Sequence, residues 1–170
     1  MESIFILRHG VAEDFTDTKS DFSRKLTEEG IKKTKRLSEF FVSLNDEIDA
    51  VLTSPYVRAK ETAALFVSKF HNKPEIIDVE FLSSGASCNE IIKGLQPYLS
   101  HKKVVLVGHA PDLEIFLGKL IGAEYIKLKK GALAKVNLFN SLDLSGELEY
   151  LVTSKVLKQI KIELLEKNIN

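Results

Sequence analysis

Cysteine is nearly missing from this chain: 170 residues hold one, Cys88. An internal disulfide is therefore excluded, and a reducing compartment, the cytoplasm, is the expected setting. Cys88 itself reads as a small helix residue. Charge of one sign is missing as well, since 24 Lys and Arg balance 24 Asp and Glu. A general nucleic-acid binder carries a basic excess or stripe, so no nucleic-acid partner is expected. The local group Lys127, Lys129 and Lys130 reads as a solvated strand edge or turn. Long apolar runs are absent too, and none approaches the roughly 20 residues of a membrane helix. The run at residues 4–7 is too short for a signal-peptide core and has no basic segment before it, so no membrane association is expected. Walker and dinucleotide glycine patterns are also lacking, which disfavours the common nucleotide folds.

What remains is an ordinary globular balance, 44% hydrophobic and 28% charged. The length suits one substantial core, so a single domain over residues 1–170 is expected. The chain is organised around Ile4-Phe5-Ile6-Leu7-Arg8-His9-Gly10. Four apolar residues read as a strand buried on both faces, ending in two polar, cationic side chains and a glycine. A polar loop at residues 11–25 follows, and loops of that length are usually functional or mobile. Thr27 then reads as the N-cap of a helix with Glu28 and Glu29 in its first turn and Leu37, Phe40, Phe41 and Leu44 buried.

Residues 48–53 read as a second strand. Ser54 as N-cap and Pro55 at the first helical position would open a helix carrying Arg58 in its first turn. A basic residue there opposes the helix dipole, which makes sense if an anion sits beside it. Residues 75–82 suggest a third strand and 89–99 a short helix. Residues 103–107 then repeat the opening logic, an apolar run ending in Gly108-His109, with Pro111 starting another helix. Alternation at 132–139 and 147–152 suggests an antiparallel hairpin at one sheet edge, joined by a turn at 140–146. Residues 156–165 read as a terminal amphipathic helix. The expected architecture is a three-layer α/β/α sandwich with a mainly parallel sheet.

In such a sheet Arg8, His9, Arg58 and His109 all fall on the carboxyl rim, where ligands bind. Arginine forks match the oxygens of a tetrahedral dianion such as phosphate. Paired histidines could instead hold a metal, but the arginines would repel a cation and no third ligand is evident, so no metal is expected.

These motifs carry a resemblance. Leu7-Arg8-His9-Gly10 resembles the Arg-His-Gly signature of the histidine phosphatase, or phosphoglycerate mutase-like, superfamily. Arg24 with Leu26-Thr27 and Gly30, Ser54-Pro55-x-x-Arg58-Ala59-x-x-Thr62, and Gly108-His109-x-Pro111 resemble its later motifs, in order. Together they cover about the first 120 residues, and the ordered set is specific where each alone is weak. The chain is most similar to the small SixA-type phosphohistidine phosphatases.

The resemblance implies a metal-independent, cofactor-free phosphatase in which His9 takes the phosphoryl group. Arg8, Arg58 and His109 would hold the phosphoryl oxygens, and Arg24 would be an outer substrate contact. Glu80 is the best match to the acid that protonates leaving alcohols in many family members, and equally reads as a carboxylate at a strand end. Glu13 and Asp14 read as loop residues, and His71 and His101 as surface. Residues 82–88 leave little room for an insertion that would cover the site. An open site and an imidazole leaving group both suit phosphohistidine on a partner protein. A small phosphorylated metabolite is the alternative substrate, and a phosphate-binding module without turnover is the alternative outside catalysis.

Overall fold

A computed structural model describes residues 1–18, 20–140 and 143–167, with side chains described through residue 160. Six strands form one sheet: β1 (Ser3–Arg8), β2 (Ala50–Thr53), β3 (Glu75–Asp78), β4 (Lys103–Gly108), β5 (Leu133–Asn140) and β6 (Ser145–Val152). Their order is β3-β2-β4-β1-β5-β6. The first four run parallel, while β5 pairs antiparallel with both β1 and β6. Helices α1 (Glu28–Ser43), α2 (Val57–Val67), α3 (Cys88–Leu95), α4 (Asp112–Ile121) and α5 (Ser154–Lys167) cover both faces.

Strand periodicity divides the core. Ile4 and Ile6 of β1 pack with Ile91 and Leu95 of α3 and with Leu113, Phe116 and Leu117 of α4. Phe5 and Leu7 point the other way, onto Leu37 and Phe41 of α1, Ala63 and Phe66 of α2, and Leu157 of α5. All four β1 residues are fully buried, as the continuous apolar run predicts. Thr27 caps α1 as expected, its hydroxyl accepting from Gly30 N at 3.1 Å.

Several local expectations differ from the structure. The strand expected at 75–82 pairs only over Glu75–Asp78, because β2 offers four partners, Ala50 to Thr53. Glu80 therefore lies not on a strand but in a 3₁₀ turn, Glu80–Leu82. The helix expected at 89–99 ends at Leu95 and tightens into a 3₁₀ turn, Gln96–Tyr98. Pro97 lacks the N–H that an α-helix would need there. Ser54 is not a helix cap: α2 opens at Val57 with Tyr56 at the N-cap. Ser54 N still bonds Val107 O across the parallel ladder at 2.9 Å, so the chain is extended there, and its Oγ accepts from Tyr56 N at 3.4 Å with room for a second partner. The antiparallel hairpin stands at one sheet edge as expected, with β6 outermost. Residues 141 and 142 of its expected turn, and the side chains of 161–165 in the expected terminal helix, lie outside the described ones.

The topology creates the site. β1 and β4 are neighbours, yet α1 leaves β1 toward one face and α4 leaves β4 toward the other. Such a switch point opens a crevice at the carboxyl ends of the strands.

Candidate active site

Adjacent strands lie about 4.8 Å apart, so the ends of β2, β4 and β1 deliver their side chains within bonding reach of one another. His9 follows β1, His109 follows β4, and Arg58 is the second residue of α2. The two imidazole rings are 5.2 Å apart between centroids. Arg58 joins them: its Nε donates to His9 Nε2 at 3.3 Å, and its Nη2 lies 3.3 Å from His109 Nδ1. His9, Arg58 and His109 are all buried.

Hydrogen bonds assign the tautomers. His9 Nδ1 lies 2.8 Å from the Gly10 carbonyl, which can only accept, so Nδ1 carries the proton and Nε2 keeps its lone pair. His109 Nε2 lies 2.8 Å from Ser54 Oγ and donates to it, leaving Nδ1 to accept from Arg58. Burial pushes His9 down to about 3, and the nearby charges of His109, Arg58 and Arg8 add to this against the Gly10 bond. Burial likewise takes His109 down to about 4, with Arg58 and Arg8 lowering it and Asp21 opposing. Both rings are neutral at pH 7.

Arg8 ends β1 and sends Nη1 to the Leu128 carbonyl at 2.7 Å, with Glu114 Oε1 at 3.9 Å. Its Nε is buried with no partner among the described residues. A buried, unpaired guanidinium N–H is costly, and an anion in the crevice would satisfy it. Arg24 stands outside this cluster, its Nε donating to the Glu13 carbonyl at 2.7 Å and its Nη1 to Asp21 Oδ1 at 2.6 Å. Glu80 is exposed, and its carboxylate accepts from Ser83 Oγ at 3.1 Å. The structure thus gathers Arg8, His9, Arg58 and His109, links Arg24 through one side chain, and leaves Glu80 on its own turn.

The roles of three contributors escaped the sequence reading. Ser54 orients His109. Thr62 accepts from Gly10 N at 3.0 Å while donating to the Arg58 carbonyl at 2.6 Å, clamping the His9-Gly10 turn to α2. The spacing of four between Arg58 and Thr62 signals a shared helix face. Asp21, in the 3₁₀ turn Asp21–Ser23, reaches Arg58 Nη2 through Oδ2 at 3.0 Å. No sequence signal separated it from its loop neighbours. The Leu26-Thr27-x-x-Gly30 segment proves architectural. A Cβ on Gly30 would stand 2.1 Å from the Val11 carbonyl oxygen, so glycine lets α1 close on the loop after His9.

Two buried neutral histidines tie stability to pH. Below pH 6.5 the unfolded chain binds protons that the folded rings refuse until about pH 3 to 4, so stability falls as pH falls through that window. Each ring should contribute a loss of about 2 kcal/mol between pH 7.5 and 5. Urea denaturation at the two pH values tests this. A His9→Asn, His109→Asn double variant should show a much flatter profile, and an equally steep one would refute the assignment.

A family model for the histidine phosphatase superfamily (branch 1) matches residues 4–83. The phosphohistidine phosphatase SixA homolog of Haemophilus influenzae is 31% identical over 143 residues, 71% of this chain and 77% of that one. The chain belongs to the histidine phosphatase superfamily. It is a phosphatase, a hydrolase acting on phosphoryl groups. Among solved structures, the protein histidine phosphatase SixA complexed with tungstate superposes with a TM-score of 0.82 at 22% identity, covering 91% of this chain and 99% of that one. The alpha-ribazole phosphatase from Shigella flexneri gives 0.72 at 16% identity, covering 89% and 96%. At those identities the likeness concerns the fold: the α/β sandwich of this histidine phosphatase is that of SixA. Among the described residues, no cluster of three metal-ligating side chains occurs and no helix is long and apolar enough to cross a membrane.

Proposed function

We propose that this histidine phosphatase removes the phosphoryl group from phosphohistidine on a cytoplasmic signalling or phosphotransfer protein, through a covalent phosphohistidine on His9. The observation that carries the covalent route is the bond from His9 Nδ1 to the Gly10 carbonyl, which leaves the Nε2 lone pair beside Arg58. Nε2 attacks phosphorus as the bond from phosphorus to the substrate nitrogen breaks, and the departing imidazole takes a proton from solvent. Arg8 and Arg58 donate to the phosphoryl oxygens and stabilise the charge developing on them, and His109 joins them as a donor once the bound dianion draws a proton onto its Nδ1. Water then attacks the phosphoryl-enzyme, the bond from phosphorus to Nε2 breaks, and phosphate leaves with neutral His9 restored.

The leaving group is argued from the carboxylates. An alkoxide leaving group needs a proton donor, which is worth roughly 100- to 10,000-fold. Glu80 is exposed and held by Ser83. Partial burial raises the Asp21 carboxyl, but the bonds from Arg24 and Arg58 outweigh it and keep it below the ordinary carboxylate value. Asp21 is thus ionised and cannot donate a proton. An imidazole leaves with little acid assistance, so a site poor in donors favours it. The SixA homolog of Haemophilus influenzae is named for the same chemistry.

The test is a panel of a phosphohistidine protein, phosphoramidate and sugar phosphates, run with wild type and Glu80→Gln in excess chelator. Phosphohistidine is expected to give the highest kcat/KM, undiminished by chelator, with Glu80→Gln within about tenfold of wild type. A strong preference for alkyl phosphates with a large Glu80→Gln loss would make the enzyme a metabolite phosphatase. Loss of turnover in chelator that a divalent metal restores would overturn the metal-free mechanism.

A further inference from the structure

Arg58 offers five N–H bonds, and this chain already supplies acceptors for four of them. His9 Nε2 takes Nε, the Asp21 carbonyl takes Nη1 at 2.6 Å, and Asp21 Oδ2 and His109 Nδ1 take Nη2. The other oxygen of the Asp21 carboxylate holds Arg24 Nη1 at 2.6 Å. One carboxylate therefore bridges two guanidinium groups, and one of these is buried at the heart of the site.

A phosphoryl dianion seated at His9 Nε2 needs donors from the same Arg58, and it repels a carboxylate that shares that guanidinium. We propose that Asp21 is a built-in competitor for the phosphoryl site. Its carboxylate satisfies Arg58 and Arg24 in the resting enzyme, gives way to the substrate's dianion, and returns to help expel phosphate. This inference rests on the assignment of Arg58 and His9 to the phosphoryl site and adds a residue that tunes how tightly that site holds its product.

The turn that carries Asp21 has other anchors. Phe22 packs on Tyr56 with ring centroids 5.0 Å apart, Ser23 Oγ donates to the Ser20 carbonyl at 2.9 Å, and the Asp21 backbone carbonyl accepts from Arg58 whatever its side chain. Asp21→Asn therefore removes the charge while keeping shape and the backbone contact. A residue that merely orders the turn would, when replaced, weaken phosphate binding. A competitor's removal strengthens it, so the sign of the effect separates the two roles.

The experiment is calorimetric titration with inorganic phosphate at neutral pH, alongside inhibition of turnover by phosphate. Wild type, Asp21→Asn, Asp21→Ser and Arg58→Ala are compared, each shown to be folded by circular dichroism. Asp21→Asn is expected to bind phosphate about tenfold more tightly, the worth of one charge-assisted hydrogen bond returned to the ligand. Asp21→Ser should change in the same direction, and KM should fall with kcat as release slows. Arg58→Ala should bind phosphate far more weakly than wild type. Unchanged or weaker binding in both Asp21 variants, with Arg58→Ala weakened as expected, overturns the competitor role alone. Wild-type phosphate binding by Arg58→Ala overturns the site assignment and the competitor role with it.

Discussion

His9→Ala is expected to lower turnover by at least about 10,000-fold while the protein stays folded, because removing a nucleophile destroys the covalent route instead of weakening it. The His9 side chain is held by the Gly10 carbonyl, Arg58 and the His109 ring. Its removal also relieves a ring that burial holds neutral down to about pH 3, so the alanine variant should withstand acid better than wild type. In wild type, rapid quenching during turnover should trap a phosphoryl group on His9 that is labile in acid and stable in base. His109→Ala should be severely slowed but keep residual turnover, since it loses one oxygen ligand and not the attacking atom. Near-normal rates for His9→Ala would rule out the mechanism.

Arg58→Ala carries the second large effect. Losing one preorganised donor to a developing oxyanion typically costs about 100- to 1,000-fold in kcat. Arg58 stands at the upper end of that range because its guanidinium contacts both His9 Nε2 and His109 Nδ1. Arg58→Lys should recover little, since an ammonium is a compact point charge and cannot span two rings with a planar fork. The same replacement should be visible without any substrate. Burial is the main reason both imidazoles titrate low and the Arg58 charge adds to it, so in Arg58→Ala their titration should move part of the way upward from about 3 and about 4. Nuclear magnetic resonance titration of the ring protons reads this directly. Full kcat in Arg58→Ala, or unmoved histidine titrations, would refute its place in the site.

Much of this site was legible because its parts are local. An apolar run of four ended by a glycine reads as a short buried strand, and whatever follows such a strand in a parallel sheet sits on the ligand-binding rim. That logic located Arg8, His9 and His109 from periodicity, and Arg58 from its nearness to a helix start. Ser54 shows where local logic stops. Ser-Pro before an apolar-periodic stretch is a strong capping signal, yet the hydroxyl is spent on His109, 55 residues away. Glu80 shows it again, since a strand ends where its neighbour ends, and the four-residue length of β2 is not encoded in residues 75–82.

By itself, then, the sequence determined most of the strands and helices, the three-layer sandwich and the residues proposed for the phosphoryl site, because alternation, capping and apolar runs act over a few residues. Only the tertiary structure decided which nitrogen of each histidine carries the proton, that both rings are held neutral, that Arg24 is tied to Asp21, and that Asp21 rather than Glu80 is the carboxylate at Arg24 and Arg58. The Arg24 and His9 Nδ1 bonds are local, but the His109 tautomer and the Arg58 contacts to His9, His109 and Asp21 depend on side chains 37 to 55 positions apart. Strand order brings them together, and no spacing along the chain records it.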